Sequence, residues 1–147
     1  DPAYAAKAAR VSELTRDIAE VLADELDALA ACLPAPPASP TPLAFHSPCT
    51  LQHGLKVKGK VEAIMAVAGY APTPVKDSHL CCGSAGTYSL LQPTLSKTLR
   101  DNKLTALQAG GAACIASANI GCITHLQTGT DTPVQHWVEL VDARLLR

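Results

Sequence analysis

The sequence predicts an α/β fold: a mostly parallel small sheet flanked by helices, preceded by a long N-terminal amphipathic helix. Three observations carry this. From Leu43 onward, short apolar segments alternate with longer ones of helical periodicity, the pattern of parallel strands joined by crossover helices. One short segment, Ala112-Ala113-Cys114-Ile115-Ala116-Ser117, is small and apolar throughout, as a strand buried on both faces requires. At 147 residues the chain suits one domain with its own core.

From Asp1 to about Ala31, the positions Ala8, Val11, Leu14, Ile18, Val21 or Leu22, Leu26 and Leu29 recur every three or four residues, with Arg10, Glu13, Arg16, Asp17, Glu20 and Asp24 off the stripe. This predicts one long helix, started by Pro2, that covers the core. Cys32, at its end, is expected to be a small buried residue. Prolines 34, 36, 37, 40 and 42 then remove backbone donors, which predicts an extended connector and excludes a central strand there. The expected organisation is a covering helix over 1–33, a connector over 34–42 and an α/β domain over 43–147.

Within that domain Leu43-Ala44-Phe45-His46 reads as a strand ending at Ser47-Pro48-Cys49-Thr50. Leu51, Leu55, Val61, Ile64, Met65 and Ala68 then predict a helix capped by Thr50 and closed at Gly69. Pro72-Thr73-Pro74-Val75 is expected as a short edge strand. A helix follows from Pro93 to about Ala109, with Gly110-Gly111 ending it. After the buried strand, Asn119-Ile120-Gly121-Cys122 marks a second strand-to-helix junction. Thr132 to His136 reads as a last strand and Trp137, Leu140, Val141 and Leu145 as a last helix. In a parallel sheet the loops leaving the strand C-termini share one edge, so Cys49 and Cys122 are expected there together.

The net charge is -1 and no Lys/Arg run can track phosphates, which argues against nucleic acid as a partner. No apolar run approaches the roughly 20 residues that a bilayer requires, so no transmembrane segment is expected. The sequence starts directly on a helical pattern without an initiator methionine or signal peptide, as an excised piece of something longer would. Its six cysteines are unevenly spread and include the adjacent Cys81-Cys82. A vicinal pair strains a disulfide but can point into one metal-sized space when glycine follows, so the set reads as metal ligation in a reducing compartment. Cys114 reads as core. Gly83-Ser84-Ala85-Gly86 lacks the Gly-Lys-Ser/Thr continuation of a phosphate loop, and no nucleophile elbow supports hydrolase chemistry.

The segments around these cysteines are His46-Ser47-Pro48-Cys49-Thr50-Leu51-Gln52-His53-Gly54, Asp77-Ser78-His79-Leu80-Cys81-Cys82-Gly83-Ser84-Ala85-Gly86, Asn119-Ile120-Gly121-Cys122-Ile123-Thr124-His125 and Pro133-Val134-Gln135-His136-Trp137. Together they resemble the cysteine-rich CCG domain of heterodisulfide reductase B subunits, lactate-utilisation iron-sulfur proteins and glycolate oxidase iron-sulfur subunits, the last most of all. The resemblance is strong from about His46 to the end. It implies the second CCG repeat of such a subunit, without the ferredoxin-like portion, in keeping with the lack of a Cys-x2-Cys-x2-Cys run.

Carried over, the family's ligand positions fall on Cys49, Cys81, Cys82 and Cys122, and the remaining one holds Asn119. The full five-cysteine pattern holds a non-cubane iron-sulfur cluster. Four thiolates suit a conventional iron-sulfur cluster or tetrahedral zinc, and an amide is a poor iron ligand. Helix N-termini after Cys49 and Cys122 would favour their thiolates, and N–H groups near Cys82, Gly83 and Ser84 could donate to sulfur. His53, His79 and His125 are expected around the site as hydrogen-bonding residues, whereas His46 and His136 read as structural.

The resemblance implies an electron-transfer module that carries electrons from a flavin-containing subunit toward a quinone-type acceptor in a complex oxidising glycolate to glyoxylate. The piece alone is expected to be inactive. The implied location is cytoplasmic, peripheral to the inner membrane through the complex. Two other readings stay open: a zinc-stapled assembly domain, and thiol–disulfide chemistry at Cys81-Cys82.

Overall fold

A computed structural model describes residues 1–146. The sheet has four strands, β1 (Thr41–His46), β2 (Tyr70–Pro72), β3 (Cys114–Ser117) and β4 (Val134–His136), in the order β2-β1-β3-β4. Every pairing is parallel, with Thr41 opposite Tyr70, Leu43 opposite Cys114, and Ser117 opposite both His46 and His136.

The strands alternate in which layer they feed. Leu43 and Phe45 of β1, with Cys114 and Ala116 of β3, pack against one helical layer, where Val61, Ile64, Met65, Trp137 and Leu140 are buried. Ala44 and Ile115 face the other, against Leu104, Leu107, Leu126 and Cys82. Both faces of the sheet are therefore covered, and each fully buried Leu or Ile contributes about 1.5–3 kcal/mol to the fold. Cys114 belongs to this core.

The N-terminal segment is helical, in three pieces after a short 3-10 turn at Pro2–Tyr4: α1 (Ala5–Leu14), α2 (Ile18–Asp24) and α3 (Leu26–Ala31). Thr15 is extended (φ -75°, ψ 123°) and Asp17 restarts the helix. Its carboxylate accepts from Ala19 N–H at 2.8 Å while Glu20 accepts from Asp17 N–H at 3.1 Å. Such a capping box competes with helix continuation. The consequence is a division of labour: α2 and α3 bury Ala19 and Leu29 against the core, and no residue of α1 is buried. Cys32, expected to be buried, is exposed; it caps α3, and Leu33 takes the buried place.

Pro42, excluded from a central strand in the sequence reading, stands second in β1, which is central. Its carbonyl accepts from Ala113 N–H at 2.9 Å, and β3 begins only opposite Leu43. The missing donor thus falls on the side of β3, which has not yet begun there, although Pro42 already stands opposite Ala71 of β2.

The helix expected from Leu51 to Ala68 is interrupted. A single π-type turn at Thr50–Gly54 is followed by left-handed backbone at Lys56 (φ 60°) and Gly59 (φ 73°), and α4 runs only over Lys60–Val67. Gly69 (φ 85°) closes it as expected. The edge strand expected over Pro72–Val75 forms earlier in the chain, as β2 at Tyr70–Pro72. After the double-cysteine loop come α5 (Tyr88–Leu91), α6 (Pro93–Gln108), α7 (Ile120–Gln127) and α8 (Trp137–Asp142). His136 caps α8, its Nδ1 accepting from Val138 N–H at 3.2 Å, which is the structural role expected of it.

Candidate metal centre

The sheet order fixes where a site can form. β1 leads through α4 to β2 on one side, and β3 leads through α7 to β4 on the other. The two central strands therefore send their outgoing loops in opposite directions and leave a cleft beyond their C-terminal ends. Cys49 leaves β1 into this cleft and Cys122 sits in the first turn of α7 after β3.

The double-cysteine loop fills the cleft from the crossover between β2 and α6, and α6 anchors it. Lys103, 3% exposed, donates from Nζ to the carbonyls of Asp77 and Ser78, each at 3.1 Å. Ser96 Oγ donates to the Gly83 carbonyl at 2.8 Å. That leaves Nε2–H of His125 to donate to Ser96 Oγ at 3.1 Å. On the other flank, Gln52 Nε2 donates to the Ser47 carbonyl at 2.9 Å, and His53 Nε2 lies 3.2 Å from the His79 carbonyl. Gly83 turns with φ 89° and donates its N–H to Cys81 Sγ at 3.3 Å.

The result is a cavity of about 470 Å³ lined by Pro48, Cys49, Cys81, Cys82, Asn119 and Cys122, among others. Cys82 is buried, Cys81 and Cys122 are half-buried, and Cys49 is exposed at the mouth. Asn119 has a local duty: as N-cap of α7 its Oδ1 accepts from Cys122 N–H at 3.2 Å. The close approach of Gly121 to Ser84, whose Oγ would lie 3.1 Å from an added Cβ, brings α7 against the loop.

Of the histidines expected near the site, His53 and His79 are exposed and take part through a ring nitrogen and a carbonyl respectively. His125 stands behind the loop, propping Ser96. None of the three lines the cavity. His46, read from sequence as structural, is 2% exposed, and neither ring nitrogen has a hydrogen-bond partner among the described residues. One of those nitrogens, Cys82 Sγ and Cys122 Sγ lie within 4.8 Å of one another. The sequence held a signal for this: strand alternation puts His46 on the face of Ala44, toward Cys82.

The thiols polarise one another. The Cys122 thiol donates to Cys82 and draws it down to about 4, against burial and helped by His46 and the Ser84 N–H. Cys122 keeps its proton, pushed well up by that same bond, by burial and by the neighbouring sulfurs. Cys49 is raised by burial and by Cys81 and Cys82. One thiolate with three further sulfurs around the same cavity makes a soft donor set suited to a thiophilic cation.

Lys103 places its amino group beside them. Burial holds its pKa below the usual lysine value, outweighing Cys82, Cys81 and Asp77, which pull it up. It also lines a second, smaller cavity of about 270 Å³ with Asp77, Leu80, Cys81 and Leu99. Lys103→Met would leave two loop carbonyls unpaired, costing about 1–3 kcal/mol of local stability. Faster hydrogen exchange at the Leu80 to Gly83 amides is the expected result; unchanged protection would show that the loop does not depend on this ammonium.

Known proteins give this geometry a context. The CCG cysteine-rich domain family matches residues 43–127. The chain is 49% identical over 146 residues to the glycolate oxidase iron-sulfur subunit of Escherichia coli (strain K12), a match covering 99% of this chain and 34% of that protein. It is 26% identical over 132 residues to the probable glycolate oxidase iron-sulfur subunit of Bacillus subtilis (strain 168), covering 89% of the chain and 29% of that protein. With lactate utilization protein A of the same strain it shares 24% identity over 152 residues, 98% of the chain and 61% of that protein. The chain thus spans about a third of the glycolate oxidase subunits it matches. By the match over residues 43–127, which takes in the greater part of β1, all of β2 and β3 and all four clustered cysteines, the chain belongs to the CCG cysteine-rich domain family.

Proposed function

We propose that this domain holds an iron-sulfur centre through Cys49, Cys81, Cys82 and Cys122 and serves electron transfer in a glycolate-oxidising complex. The observation that carries this reading is the convergence of four thiols from three chain segments on one cavity. The donor set fits the group, because soft thiolates select iron-sulfur clusters and zinc, and one of the four is already held deprotonated. The resemblance to a protein named a glycolate oxidase iron-sulfur subunit supports the cofactor and the complex.

When bound, the cluster supplies one-electron chemistry; the residues around it set its conditions. Gly83 N–H donates to Cys81 Sγ, which reduces the electron density on that ligand. Buried Lys103 offsets negative charge on the thiolate set, and both effects favour the reduced state. Cys49 at the exposed mouth is the ligand nearest solvent and the natural side for electron exchange. In this reading electrons arrive from a flavin-containing subunit and leave toward a quinone-type acceptor. On the same reading the connector over 34–42 joins the helical cover to the redox domain over 43–147, its last two residues already entering β1. The complex would be cytoplasmic and peripheral to the inner membrane; no helix among the described residues is long and apolar enough to cross one.

A second reading has one observation in its favour. Asn119 is committed to capping α7, so four thiolates remain, the number that suits tetrahedral structural zinc. Metal analysis of anaerobically purified protein separates the two. Visible charge-transfer absorption with stoichiometric iron and sulfide is expected; colourless protein with one zinc would overturn the iron-sulfur assignment.

A further inference from the structure

We propose that the His46 imidazole is a further metal donor of this centre, binding alongside Cys82 and Cys122. The inference deepens the reading above and rests on a metal being held there.

Its basis is a buried imidazole whose polar neighbours are the thiols of the site itself. His46 ends β1 at the C-terminal edge of the sheet, and alternation turns its ring to the face where Cys82 packs. The ring is shielded from water, and both its nitrogens lack a hydrogen-bond partner among the described residues. Buried polar atoms without partners are rare in native structures and ask for an unseen ligand, ion or water. The neighbouring Ser117 hydroxyl is engaged elsewhere, donating to the His46 carbonyl at 3.0 Å.

The spacing suits a shared ion. Metal–sulfur and metal–nitrogen bonds of about 2.3 Å and 2.0–2.1 Å place two donors on one ion no more than about 4.6 Å apart. The ring nitrogen and the two sulfurs lie within 4.8 Å of each other, so small side-chain rotations suffice. Neutral imidazole is a ligand for iron and zinc alike. Asn119, at the fifth ligand position that the family resemblance implies, lines the cavity too, but its Oδ1 already accepts from Cys122 N–H at 3.2 Å.

Cobalt(II) titrated into the metal-free protein tests this without depending on electron-transfer activity. Thiolate-to-cobalt charge transfer, together with strongly shifted imidazole ring signals in the NMR spectrum, is expected for the unaltered chain. His46→Gln should lose those ring signals, keep the charge-transfer bands and bind cobalt at least about tenfold more weakly. His46→Cys, which restores a donor, should recover most of the affinity. Circular dichroism of each variant reports whether the fold is retained. Charge transfer without shifted ring signals, with His46→Gln binding cobalt as tightly as the unaltered chain, would overturn the role of His46 and leave the four-thiolate centre standing. Absence of any thiolate-to-cobalt band would overturn both.

Discussion

Cys82→Ser is expected to reduce bound metal by about 100-fold in affinity, whereas Cys114→Ser should leave metal stoichiometry unchanged. Both residues are buried cysteines within the same sheet neighbourhood, so the pair controls for packing. Cys82 lines the cavity, contacts Cys122 and is the thiol held deprotonated. Serine there loses the soft anionic donor and offers Cys122 a neutral hydroxyl in place of a thiolate acceptor. Cys114 instead packs in the opposite layer beside Leu43 and Trp137, and burial alone raises its pKa. Metal content of the two purified variants decides the matter. Equal losses would show that the ligands are assigned wrongly.

Gly83→Ala should be the most damaging small substitution in the loop. Gly83 has φ 89°, a region that L side chains rarely enter. An added Cβ would also collide with the Ser96 carbonyl oxygen and stand 3.1 Å from Leu99 Cβ. The obstacle is backbone of α6, which cannot swing aside as a side chain could. Backbone strain and overpacking together predict a loss of about 2–5 kcal/mol. The shift would separate Gly83 from Ser96 Oγ and misdirect both cysteines, so a lower urea midpoint should accompany weakened metal binding. An unchanged midpoint would show that the loop has room to move.

The parts of the fold that were legible in the sequence are those whose signal is local. Pro93 and Gly110-Gly111 bracket α6, and the apolar run at Cys114–Ser117 could only be a doubly covered strand. The cysteines were legible as a set because a vicinal pair before glycine has few structural uses. Other features depend on partners distant in the chain. Strand alternation alone would have turned His46 toward Ala44's face, but only the arrival of Cys82 and Cys122 there makes its ring remarkable for being unpaired. Nothing local marks Lys103, whose use appears only where the carbonyls of Asp77 and Ser78 fold over its ammonium. The break at Thr15 was hidden because the apolar stripe runs on through it, while the Asp17-Glu20 capping box works by hydrogen bonds that periodicity does not register.

The three chain segments that meet at the cavity enter the sequence at Cys49, Cys81-Cys82 and Cys122. An ion bound by all of them would act as a reversible crosslink, closing two long successive loops around the middle of the sheet. Closure of this kind removes freedom from the unfolded chain, and an ion bound only by the folded form stabilises it by mass action. Supply of the metal would then set how long the polypeptide survives as well as whether it can serve the role proposed for it. A chain denied its ion would open at the loops between β1 and α7 first, presenting free thiols to whatever oxidant or protease is at hand.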